Sequence, residues 1–122
     1  MKVKDIEQLI YNEAPKALAY EWDNTGILCG DKNADVTGIC VCLDVTPDTI
    51  EKAISSGANT IVSHHPFIFS GIKNIDYTSH FGSMLHSVIS NNLNIISMHT
   101  NIDKAKNGIN EMLAQKLGFK NI

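Results

Sequence analysis

The sequence predicts an α/β fold: a mostly parallel sheet covered by helices, in one domain over residues 1–122. Three observations carry this. Strand-like and helix-like stretches alternate through most of the chain. The stretch VTGICVCLDV, residues 36–45, is a near-continuous apolar run, as expected of a strand buried on both faces. Helix punctuation falls where a crossover needs it: Thr46-Pro47 opens a helix and Gly57 closes it.

The elements follow in order. Val3, Ile6, Leu9 and Ile10 recur at helical spacing, and Pro15 ends that helix. In WDNTGILCG, Asn24-Thr25-Gly26 reads as a turn and Ile27 to Cys29 as a short strand. After the long apolar run, the helix that starts at Thr46-Pro47 carries Ile50, Ala53 and Ile54. NTIVSHH is the next strand. SHFGSMLHSVISN is the next helix, with Phe81, Met84, Leu85 and Val88 on one face. LNIISMHTN is the following strand. The last helix carries Ile109, Met112, Leu113 and Leu117, and Gly118 caps it.

Composition removes several classes of function. With 43% hydrophobic and 19% charged residues the chain is not a disordered one. All ten cationic side chains are lysine, and the net charge is −3. Specific phosphate and base readout leans on arginine, and no basic cluster is present, so nucleic acid is a poor partner. The N-terminus, interrupted by charges, is not a signal peptide, and no apolar run approaches bilayer length. No membrane partner is expected. The three cysteines, Cys29, Cys40 and Cys42, are not a disulfide framework, so the expected location is cytoplasmic. Cys40 and Cys42 have no second pair to complete a zinc site and read as buried, inert thiols.

In open α/β sheets, ligands bind beyond the carboxyl ends of the strands. One predicted strand end carries Asp44 and Thr46, the next His64 and His65, the third His99, Asn101 and Asp103. If the strands are parallel, these residues of metal-ligand type converge on one edge of the sheet. Adjacent side chains in a strand point to opposite faces, so one ion suits both His64 and His65 poorly. Pro66 keeps His65 extended. Two ions, about 3.5–4 Å apart as in dinuclear hydrolases, resolve the geometry with one histidine on each. Imidazole suits zinc, iron, nickel and copper, a carboxylate adds manganese, and Asp103 is the carboxylate placed to join them. His99 either lines the site or orients a ligand from behind it. Asp44 is either a helix-entry residue or, with Thr46 and Asn101, part of a pocket wall. His80 and His86 fall on a helix and read as solvated or half-buried. GILCGDK lacks P-loop spacing, and Asp76 reads as a loop residue.

WDNTGILCG, CLDVT, IVSHHPFIF and MHTNIDKAKNGINEMLAQKLG stand in the same order as in the Nif-three-like family, whose bacterial members are often labelled GTP cyclohydrolase 1 type 2 homologs. The resemblance runs from about Asp5 to Gly118, and its SHHP and HTNxD pair is specific. It implies a Nif-three-like α/β fold, a dinuclear metal centre and a ring-like hexamer. It implies that His64 takes one divalent metal ion while His65 and Asp103 take the other, with zinc, iron or manganese as candidates. It also implies two further ligands, a histidine and a bridging glutamate, in a later segment. Residues 1–122 are therefore expected to correspond to the N-terminal portion of such a protein, either as a piece of a longer chain or as a shortened form, with an incomplete site.

The expected function is that of a metal-dependent hydrolase acting on a phosphorylated or heterocyclic small molecule. The alternative is a non-catalytic metal-binding protein with a regulatory or interaction role. If the ligand set is right, His80→Ala and His86→Ala leave the metal content unchanged by elemental analysis. Loss of metal in either variant overturns it.

Overall fold

The computed structural model describes residues 1–121; Ile122, the last residue of the predicted domain, lies outside them. The strands are β1 (Gly26–Cys29), β2 (Ile39–Cys42), β3 (Thr60–Ser63) and β4 (Asn94–Ser97). The helices are α1 (Val3–Glu13), α2 (Pro47–Ser56), α3 (His80–Ser90), α4 (Thr100–Lys104) and α5 (Ile109–Lys116). One sheet runs in the order β1-β4-β3-β2. β2, β3 and β4 are parallel, with Cys40 opposite Ile61 and Ile61 opposite Ile95. β1 closes the far edge antiparallel to β4, with a bulge between Ile27 and Cys29.

The parallel core follows from its connections. Each parallel neighbour must be reached by a crossover, and here α2 and α3 supply them. Both ends of α2 are punctuated as the sequence predicts: the Thr46 hydroxyl accepts from the Thr49 backbone N–H, and Gly57 takes φ +75°. At α3 the Ser79 hydroxyl caps the Gly82 N–H at 3.0 Å. Side-chain alternation then sorts the layers. Ile61 and Ile95 pack against Ile50 and Ala53 of α2 and Met84, Leu85 and Val88 of α3. Val62 and Ile96 turn to the other face and meet Val3 and Ile6 of α1.

The predicted strand within residues 36–45 is corrected. It is not buried on both faces; β2 is an edge strand. Cys40 and Cys42 pack on the α2 and α3 side, but Ile39 is 45% and Val41 75% exposed. α1 lies over Val62 and Ile96 and leaves this part of the sheet open. The apolar run reads as fully buried because its outward positions are as apolar as its inward ones.

A second difference lies past β4. HTNID is not the tail of a strand: Thr100 begins the short α4, which carries Asp103 one turn beyond His99. The cysteines are free thiols. Burial, with the Cys40 and Asp44 charges beside it, pushes the Cys42 thiol up to about 11, so it is no nucleophile at neutral pH. Among the described residues no helix is long and apolar enough to cross a membrane.

The layer assignment makes a paired prediction. Ile95→Ala, in the sealed core, costs about 2–5 kcal/mol in denaturant unfolding. Val41→Thr, on the open face, stays within about 0.5 kcal/mol. Comparable losses from both would put β2 back inside the protein.

Candidate metal centre

β3 ends at Ser63, whose side chain shapes the bend into His64 and His65. The Ser63 hydroxyl donates to the His65 carbonyl at 2.9 Å and lies 2.8 Å from the Ser97 hydroxyl of β4. The His64 and His65 N–H groups donate to the Cys42 and Leu43 carbonyls at 3.2 and 2.9 Å. The chain bends here, so strand alternation no longer applies. Both imidazoles therefore face one cluster. Their ring centroids are 5.0 Å apart, and His99 lies 5.2 Å from His64 and 5.8 Å from His65. One ligand atom from each of the three histidines lies within 4.8 Å of the other two. The expectation that His64 and His65 diverge is corrected for this reason.

Two of the three rings are held by carboxylates. His99 Nδ1 is 2.9 Å from Asp23 Oδ1, and His65 Nδ1 is 2.7 Å from Asp44 Oδ1. The Asp23 side chain has no solvent exposure. It also accepts from the Thr100 N–H at 3.0 Å, from the Thr100 hydroxyl and from the Asn24 N–H at 2.8 Å. Burial pulls its pKa upward, but the hydrogen bonds from Thr100, His99 and Asn24 outweigh this and hold it below the usual carboxylate value. Asp23 is thus ionised at neutral pH and can only accept. His99 must carry its proton on Nδ1, which leaves the neutral ring's lone pair on Nε2. That is the arrangement by which a carboxylate orients a metal-binding histidine.

His64 differs. Its Nε2 is 3.8 Å from Asp103 Oδ1, and its Nδ1 is buried without a hydrogen-bond partner. An unsatisfied buried polar atom costs about 1–3 kcal/mol, so it marks a place where a further partner belongs. Three imidazoles, one carboxylate at hand and an unpartnered ring nitrogen form a donor set that can hold a metal ion.

The remaining predicted residues take quieter positions. Thr46 caps α2. Asn101 is fully buried; its amide donates to the Ala14 carbonyl at 2.8 Å and its oxygen accepts from the His99 N–H at 2.9 Å. It braces the backbone of His99. His86 stacks on Tyr77 at 4.2 Å, and neither it nor His80 belongs to the cluster. Asp23 is the residue that sequence reading missed. WDNTGILCG reads as a turn and a strand, and the partners that give Asp23 its meaning lie 76 and 77 residues away.

Three histidines gathered where parallel strands end make this an α/β protein whose residues can hold a metal ion. The model of the family Duf34/NIF3 (NGG1p interacting factor 3) matches residues 1–122, and the chain belongs to that family. It is 42% identical over 122 residues to a Staphylococcus epidermidis protein named GTP cyclohydrolase 1 type 2 homolog, covering all of this chain and 33% of that one. Among solved structures, a Bacillus cereus protein related to NIF3 aligns with TM-score 0.95 and 38% identity, over 99% of this chain and 33% of that one. Reduced HcgD from Methanocaldococcus jannaschii aligns with TM-score 0.91 and 34% identity, over 99% of this chain and 48% of that one. The chain thus spans about a third of the length of the curated relatives it matches. The Nif-three-like α/β fold expected from the motifs is the fold observed.

Asp23→Asn keeps the shape of the side chain and removes its charge. It should lower zinc affinity roughly 10–100-fold in competition with a colorimetric chelator. Unchanged affinity would mean that Asp23 does not act through His99.

Proposed function

We propose that these residues carry the histidine half of the metal site of a divalent-cation-dependent hydrolase. His64, His65 and Asp103 are the ligands, on one or two ions, and His99 completes the cluster. The observation that carries this reading is the convergence of three imidazoles, two of them fixed by carboxylates and the third, His64, with a buried Nδ1 that has no protein partner. A bound divalent cation supplies Lewis-acid polarisation and makes water a stronger acid.

The chain's own residues do the rest. Asp44 and Asp23 fix the tautomers of His65 and His99, and Asn101 fixes the backbone that carries His99. Asp103 places negative charge beside His64. The substrate class of the reading is a phosphorylated or heterocyclic small molecule. Further ligands from outside these residues, assembly into a ring-like hexamer and a cytoplasmic location belong to the same proposal. Their support is the family resemblance and the fraction of its relatives that the chain spans.

The test is hydrolysis with zinc or manganese added, over a panel of phosphate esters and nucleotides. His65→Ala and Asp103→Ala should each lower the metal-dependent rate at least about 100-fold while circular dichroism stays unchanged. Metal uptake without turnover on any substrate would sink the hydrolase reading and leave a metal-binding protein of regulatory or interaction type.

A further inference from the structure

The two edges of the sheet differ. β1 closes one side with a bulge between Ile27 and Cys29, and a bulge blunts an edge against further pairing. β2 closes the other side without such a guard. Residues 38–42, Gly-Ile-Cys-Val-Cys, hold no charge and no proline, and the register of β2 with β3 is regular. The outward face of β2 is bare as well. Leu43, 60% exposed, extends the row of Ile39 and Val41, and Val41 is the most exposed large apolar side chain among the described residues. An apolar row beside an open strand edge marks a place where something docks.

The backbone shows which groups are left over. The Gly38 and Cys42 carbonyls accept from the Thr60 and His64 N–H groups, so Gly38, Cys40 and Cys42 face β3. The N–H and C=O groups of Ile39 and Val41 therefore point away from the sheet. On either side of them the edge is already engaged. The Thr37 N–H donates to the Asn59 side chain at 3.0 Å, and the Leu43 carbonyl accepts from the His65 N–H at 2.9 Å.

This short row is complementary to itself. Place a second copy antiparallel, with Cys40 opposite Cys40. Ile39 then stands opposite Val41, and Val41 opposite Ile39, so each free N–H meets a free C=O. The neighbouring register, with Val41 opposite Val41, sets Ile39 against Leu43, whose carbonyl is taken. On the outward face the first register packs Ile39 beside the second copy's Val41, and no like charges meet in the paired stretch.

We propose that β2 is a docking edge for a second copy of this chain, paired antiparallel about a two-fold axis at Cys40, so that two four-stranded sheets become one. The inference goes beyond the self-association in the proposed function, which names no surface. It rests neither on the metal ligands nor on a hexamer. The antiparallel pairing sends the two histidine clusters toward opposite ends of the joined strands.

The thiol at the centre is its own probe. Cα atoms of a non-hydrogen-bonded antiparallel pair lie about 4.5 Å apart, within the span of a disulfide. The two Cys42 residues would be more than about 13 Å apart. The experiment treats the chain and its Cys40→Ser and Cys42→Ser variants with diamide, which takes up two hydrogens as two thiols become a disulfide. Non-reducing gels and peptide mass spectrometry locate the bridge. A Cys40–Cys40 dimer is expected in the unaltered chain and in Cys42→Ser, and none in Cys40→Ser. Without oxidant, sedimentation velocity should show a weak monomer–dimer equilibrium, since an edge pair of this size buries little surface. Val41→Lys, with unchanged circular dichroism, should weaken it at least about tenfold. A chain that stays monomeric up to about 0.5 mM, a dimer indifferent to Val41→Lys, or a bridge through Cys29 or Cys42 in place of Cys40 would overturn the proposal.

Discussion

A carboxylate with no contact to water must be neutralised or fully hydrogen-bonded, and Asp23 is fully hydrogen-bonded. Its oxygens are taken up by the His99 ring, the Thr100 N–H and hydroxyl, and the Asn24 N–H. These partners come from opposite ends of the chain. The bonding therefore fixes the loop before β1 to the junction of β4 and α4, and fixes one imidazole in one tautomer. Much of the candidate site depends on that contact. Trp22 owes its position to it, and His99 the placement of its lone pair on Nε2.

The sheet supplies the other half of the arrangement. Parallel β2, β3 and β4 all end on one edge, so Asp44, His64, His65 and His99 arrive together from three separate stretches of sequence. The hydroxyl of Ser63 then ties the bend after β3 to Ser97 of β4. That bend turns two adjacent imidazoles into the same space. A straight strand would have sent them apart. The cluster's ring nitrogens that face the protein are held by carboxylates at His65 and His99, while the His64 Nδ1 has no partner. Imidazoles oriented in this way can hold a metal ion.

Much of this was legible in the sequence. Helix periodicity, the Thr46 and Gly57 caps and the order of strands and helices led to the α/β sheet, and the ends of the strands led to the stretches that bring His64, His65 and His99 together. What was not legible has particular physical causes. Ile39 and Val41 look like core residues because hydrophobicity does not say whether a partner covers the strand, and here β2 is the open edge. His64 and His65 diverge only if strand alternation continues past Ser63, where β3 ends. Asp23 was invisible because a single acidic residue in a short loop has no pattern, and its role exists only through contacts with residues 99 and 100.

The central claim is that the three histidines form one cation site. Anomalous scattering from crystals grown with zinc tests it most directly. The account predicts a zinc peak bonded to nitrogens of His64 and His65, at about 2.0–2.1 Å, and to the Asp103 carboxylate, with the His99 ring against the same site. A zinc ion held by Cys40 and Cys42 or by surface carboxylates, with the three imidazoles uncoordinated, would contradict it, and so would the absence of any zinc peak.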